Sequence, residues 1–90
     1  MTPRRVVLES PYAGDVAVNV AYARECLLDS LRRGEAPIAS HLLYTQALDD
    51  SDQAQRDLGI AAGHAWLPVC DAVVAYTESG FHQELVKIVA

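Results

Sequence analysis

The stretch from Arg5 to Gly34 reads RVVLESPYAGDVAVNVAYARECLLDSLRRG. Its first five residues are mostly β-branched and apolar, and Ser10-Pro11 closes them with a turn signal. That pattern predicts a short buried strand over 5–9. Tyr12, Ala13 and Gly14 continue as loop. Asp15 and Asn19 are both N-cap candidates for the helix that follows. Val20, Ala23, Leu27 and Leu31 recur at intervals of three and four, and Leu28 widens the stripe. Arg24, Asp29, Arg32 and Arg33 fall on the other side. Gly34 suits the position just past the helix end, where a left-handed backbone costs glycine nothing.

The strand–helix alternation repeats along the chain. Residues 36–39, APIA, predict a second short strand, which Pro37 places at an edge or at a strand start. SHLLYTQALDDSD then reads as a loop with one helical turn. Asp50 or Ser51 caps a second helix over roughly 52–67, with Leu58, Ala61, Ala62, Ala65 and Trp66 supplying apolar contacts and Pro68 ending it. Gly59 and Gly63 share one face of that helix and would let another backbone come close. Residues 71–76, DAVVAY, predict a third strand. After a turn at Ser79-Gly80, Phe81 to Ala90 reads as a final helix, with LVKIV as the alternative strand. The order β-α-β-α-β-α implies right-handed crossovers and a three-layer α/β domain with a parallel sheet of three strands, or four if the last segment pairs. Ligands bind such sheets at the carboxyl ends of the strands. The loops Ser10 to Asn19, Ser40 to Gln46 and Thr77 to Glu84 should converge there.

Ninety residues make one domain over 1–90, with a small core that a partner chain would help to stabilise. The composition, 51% hydrophobic and 21% charged, is that of a globular chain. No apolar run approaches the ~20 residues of a membrane span. MTPRRVVLES lacks the apolar region of a signal peptide, so the expected location is the cytoplasm. Cys26 and Cys70 are too few for a disulfide framework and read as buried thiols. A net charge of −5 argues against general binding to nucleic acid or to an anionic membrane. The charge is uneven: residues 1–33 carry five arginines against four acids, and residues 34–90 carry eight acids against Arg56 and Lys87. A cation isolated in an acidic half either meets a specific anion or joins a surface ion pair.

Glu84 follows the third strand. Near a helix N-terminus a carboxylate stays ionised, and an ionised glutamate can attack a sugar carbon; the plainer reading is a solvent-facing helix residue. His41, directly after the second strand, either donates to a ligand or caps the loop. Tyr12 either stacks on a base or sugar or covers the sheet edge, and Gly14 serves a tight turn or a close approach to ligand. His64 reads as packed or surface. The three histidines lack the spacing of a metal site, and no cofactor motif is present: GxGxxG, GxxxxGK[ST] and GxSxG are all missing.

SPYAGD, Asn19-Val20, PIASHLLYTQALDD, RDLG at 56–59, CDAVV at 70–74, Ser79-Gly80 and Glu84 together resemble small phage and bacterial domains of unassigned function related to the nucleoside 2-deoxyribosyltransferases. The resemblance implies a flavodoxin-like (Rossmann-like) fold, a homodimer or larger oligomer, and a nucleoside or nucleotide as ligand. It implies cleavage or exchange of the N-glycosidic bond, with Glu84 matching the nucleophile that attacks C1′. Tyr12 and Gly14 match the loop lining the sugar or phosphate, and Asn19 and His41 join the substrate-binding set. Ser79 and Gly80 match a turn that holds a 5′-phosphate, although relatives place one residue between the serine and the glycine. Asp71 matches an acid closing the preceding loop, with no catalytic role. Relatives continue into a Gly-Ile-Pro-Val-like strand, so the last parallel strand is expected to be missing. The alternative function is a non-catalytic nucleotide-binding or protein-interaction protein of phage origin.

Overall fold

The structure, a computed structural model, describes residues 2–12, 14–77 and 83–86. One sheet holds β1 (Arg4–Glu9), β2 (Glu35–Ile38), β3 (Ala72–Tyr76) and β4 (Gln83–Val86) in the order β2-β1-β3-β4. β1 pairs in parallel with β2 and with β3, and β4 returns antiparallel to β3. Helix α1 (Val16–Arg32) joins β1 to β2. Between β2 and β3 come α2 (Ser40–Leu43), a 3-10 turn at Tyr44–Gln46, α3 (Gln53–His64) and a second 3-10 turn at Leu67–Val69. This is the α/β architecture with an open, three-stranded parallel sheet that the alternating pattern predicts, consistent with a small flavodoxin-like fold. Among the described residues no helix is long and apolar enough to cross a membrane.

The two crossovers, from β1 to β2 and from β2 past β1 to β3, run in opposite directions across the sheet. Right-handed connections therefore set α1 and α3 on opposite faces. Val6, Leu8, Ala72, Val74 and Tyr76 share one face and pack with Cys26 of α1 and with Ala39. Val7 alternates to the other face and is buried too, as a central parallel strand requires. Glu9 follows it on that face, within electrostatic reach of His64 at the end of α3.

Local signals set the ends of α1. Asp15 is its N-cap, accepting from the Val18 N–H at 3.2 Å, and Gly34 sits past its end with φ +83°. The buried stripe differs from the apolar periodicity. Ala23, Cys26 and Ser30 face the sheet, while Leu28 and Leu31 are 46% and 53% exposed. Small side chains let the helix lie close to the strands, and Ser30 meets a polar partner there. Its hydroxyl donates to Glu35 Oε1 at 2.8 Å, and Arg4 donates to Glu35 Oε2 at 2.8 Å. A buried carboxylate is tolerable only when paired in this way. Asp71 closes the opposite side of β1: its carboxylate accepts from the Arg5 N–H at 2.8 Å, and its own N–H donates to the Arg5 carbonyl at 2.8 Å.

Two further expectations are corrected. α3 is turned so that Gly59, Ala62 and Gly63 are half-buried, while Leu58 and Trp66 are 61% and 42% exposed and Ala61 and Ala65 are also exposed. The final segment is not a helix at 83–86. Glu84 lies in a strand, with its backbone opposite Ala75. The open edge of β3 needs backbone partners, and the connection of residues 77–82 is too short for the dozen or more residues of a parallel crossover, so the fourth strand is antiparallel.

Candidate functional site

The carboxyl ends of β1 and β2 lie side by side, because Val7 is in register with Ile38. The chain leaving β1 passes Ser10, Pro11 and Tyr12. Asn19, in the first turn of α1, donates its side-chain amide to the Tyr12 carbonyl at 3.0 Å and so fastens this loop to the helix. Gly14 has φ +93°, and a Cβ there would meet no protein atom within 4 Å. The glycine answers to backbone conformation rather than to crowding.

Leaving β2, the chain enters α2, whose second residue is His41. Its Nε2 and the Ser10 hydroxyl form a hydrogen bond of 2.7 Å across the two strand ends. Tyr12 meets the imidazole edge-on, with centroids 6.3 Å apart and planes at 79°. Partial burial lowers the His41 pKa from its ordinary value, so the ring is neutral near pH 7. A neutral imidazole has one donor and one acceptor nitrogen, and Ser10 occupies one of them. Thr45 holds the turn by donating to the His41 carbonyl at 2.7 Å.

These residues open onto a cavity of about 250 Å³ between α2, its following turn and α3. Tyr12, His41 and Tyr44 give it aromatic walls, and Leu48 and Ile60 an apolar side. Asp50, Gln55 and Arg56 supply its charged and amide groups. The Trp66 indole N–H donates to the Tyr44 hydroxyl at 2.7 Å, and the Asp49 N–H donates to Gln55 Oε1 at 2.8 Å. The cavity depends on α3 lying close to α2. A Cβ on Gly63 would stand 2.8 Å from Ser40 Oγ and 3.0 Å from Ser40 Cβ. One on Gly59 would stand 3.1 Å from Leu48 Cδ1. The glycine pair thus makes room on α3, and what fills it is the Ser40 and Leu48 side chains rather than another backbone.

A family model described as "Domain of unknown function (DUF7768)" matches residues 4–87. The chain belongs to this family. The DUF7768 match runs from the first residue of β1 to just past β4, so it takes in the whole sheet and the cavity. No curated protein and no solved structure matches the chain.

Within this DUF7768 domain, Tyr12 and His41 come together at the cavity wall, and Asn19 stands behind Tyr12 as its anchor. Gly14 lies in the same loop. Ser79 and Gly80 fall outside the described residues. Glu84 is described through its backbone alone, and β4 lies two strands from β1, about 10 Å by ordinary strand spacing. The row Glu9–Ala75–Glu84 crosses the sheet near its carboxyl edge. Glu9 is a carboxylate that the sequence pattern passed over. Desolvation raises its pKa, with the charge of His64 opposing. Tyr44, Gln55 and Ser10 were also missed, since nothing in their local pattern marks them. On the α1 side, the Tyr22 hydroxyl donates to the Thr77 carbonyl at the end of β3, and burial, with nearby groups adding to it, pushes its pKa up to about 12. Burial also pushes the Cys26 thiol up, which leaves it a packing residue rather than a nucleophile. Among the described residues no group of three or more His, Cys, Asp or Glu side chains is placed to hold a metal ion.

Proposed function

We propose that this domain binds a nucleoside or nucleotide at the carboxyl edge of its parallel strands and acts on the N-glycosidic bond. The observation that carries the reading is the cavity of about 250 Å³ walled by Tyr12, His41 and Tyr44. Aromatic faces suit a planar base, and the strand ends are where such sheets hold ligands. In the reaction proposed, a Glu84 carboxylate oxygen bonds to C1′ as the C1′–N bond breaks. The base leaves after taking a proton from solvent, and water or a second base then attacks C1′, which breaks the glycosyl ester, frees the Glu84 carboxylate and gives the attacking group's proton back to solvent.

The test is incubation of the purified protein with deoxynucleosides and their monophosphates, following release of free base. Glu84→Gln should lower that release by at least about a hundredfold, as losing a key polar catalytic group does elsewhere, and should leave ligand binding in place. A Gln variant as active as wild type overturns the catalytic role. A specific observation also favours a second reading, in which the domain binds a nucleotide without cleaving it. The resemblance puts the nucleophile in a turn or helix after the third strand, whereas Glu84 is on β4, without a helix dipole to favour its charge. Binding with no base release would support that reading. Self-association belongs to the proposal as well, because Leu58, Ile60, Trp66 and Val69 are exposed large apolar residues close together in sequence.

A further inference from the structure

Arg56 is a cation in an acidic half of the chain, where eight acids over residues 34–90 face Arg56 and Lys87. Asp57 follows it on the same helix and Asp52 caps that helix, yet its guanidinium makes no ion pair with a described residue. Arg4, Arg5 and Arg33 each do. The nearby Asp57 carboxylate instead accepts from Gln53 Nε2 at 2.7 Å. Arg56 lines the cavity together with Gln55 and Tyr44. The oxygen of the Gln55 amide is already used by the Asp49 N–H, which leaves its NH₂ to donate. The Tyr44 hydroxyl already accepts from Trp66, which leaves its proton to donate.

We infer that Arg56, Gln55 and Tyr44 form an oxyanion subsite in this cavity, so that its ligand is a planar ring system carrying a phosphate or a carboxylate. The inference rests on the reading of the cavity as the ligand site. A guanidinium with two neutral donors matches the several acceptor oxygens of such a group. Asp50 lines the same cavity as an acceptor, so the preferred ligand also offers hydroxyl or N–H donors. A phosphorylated nucleoside has all three features: ring, anion and donors.

The experiment titrates the full chain and its Arg56→Gln variant by calorimetry. The probes are deoxyadenosine, deoxyadenosine 5′-monophosphate, inorganic phosphate and benzoate, and circular dichroism verifies that the variant is folded. Wild type should bind the monophosphate at least about tenfold more tightly than deoxyadenosine, the scale of a charge-assisted hydrogen bond. Arg56→Gln should abolish that preference by weakening monophosphate binding far more than deoxyadenosine binding, and Arg56→Lys should restore part of it. An unchanged preference in Arg56→Gln overturns the subsite and leaves the nucleoside reading standing. If benzoate or phosphate binds in an Arg56-dependent way and neither deoxyadenosine nor its monophosphate does, the nucleoside reading fails and the subsite stands. Binding of none of the four overturns both.

Discussion

Replacing Gly63 by alanine puts a methyl group 3.0 Å from Ser40 Cβ and 2.8 Å from its hydroxyl oxygen. Two terms of opposite sign decide the result. In a helix interior alanine is better than glycine by about 1 kcal/mol, and Gly63, the last residue but one of α3, would gain only part of that. The clash works against this, and because a Cβ is fixed to its own backbone, α2 must move away from α3 to relieve it. Overpacking of this kind costs about 1–3 kcal/mol. The net expectation for Gly63→Ala is a loss of about 1 kcal/mol. Gly59→Ala is the internal control. Its methyl group would meet Leu48 Cδ1 at 3.1 Å, the far end of a flexible side chain that can turn aside. There the helix term wins, and a gain of about 0.5–1 kcal/mol is expected. For a domain of this size each kcal/mol shifts Tm by about 4–8 °C, so the two variants should melt on opposite sides of wild type. Thermal unfolding followed by circular dichroism reads the order. Because Ser40 precedes His41, Gly63→Ala should also weaken ligand binding in the cavity. A Gly63→Ala protein that melts at or above wild type would refute the close α2–α3 contact on which the cavity depends.

Ser30→Ala removes a donor to the buried Glu35 carboxylate, and should cost about 1–3 kcal/mol in urea unfolding at neutral pH. His41 has a folded-state pKa below its ordinary 6.5, so folding favours the neutral ring. Its contribution is fully present above pH 6.5 and is lost as the pH falls from there to the folded value. His41→Gln should flatten that part of the stability-against-pH curve, and an unaltered curve would contradict the burial of the ring. Asp29 has its carboxyl held low by hydrogen bonds from Arg33 and from Tyr76, so its stabilising effect should disappear as the pH falls below 3.8. Comparing Asp29→Asn with wild type by pH-dependent unfolding checks the sign. Light scattering at micromolar concentration should give a mass of at least twice the chain, and Trp66→Ser should lower it. A monomer in both would remove the apolar α3 surface as an interface.

The three parallel strands and the C-terminal limit of α1 were legible in the sequence because local chemistry sets them. RVVLE and AVVAY are β-branched and apolar runs bounded by turn residues, so they become buried strands wherever a sheet can form. Asp15 and Gly34 mark the helix ends by side-chain capping and by a left-handed φ, both properties of single residues. The Gly59–Gly63 spacing likewise announces a close contact without naming the partner. Tertiary packing decided what local pattern leaves open. It buried Ala23, Cys26 and Ser30 of α1 in place of Leu28 and Leu31, since the sheet accepts a close, narrow helix face and Glu35 needs a hydroxyl. It turned the last segment into an antiparallel strand, because the free edge of β3 demands backbone partners and a short connection permits only a return. The site was divided in the same way. Tyr12 and His41 stood out as polar or aromatic residues at strand ends. Their union with Tyr44, Gln55 and Arg56 needed α3 to fold back over α2, a contact between segments whose separate sequences carry no trace of each other.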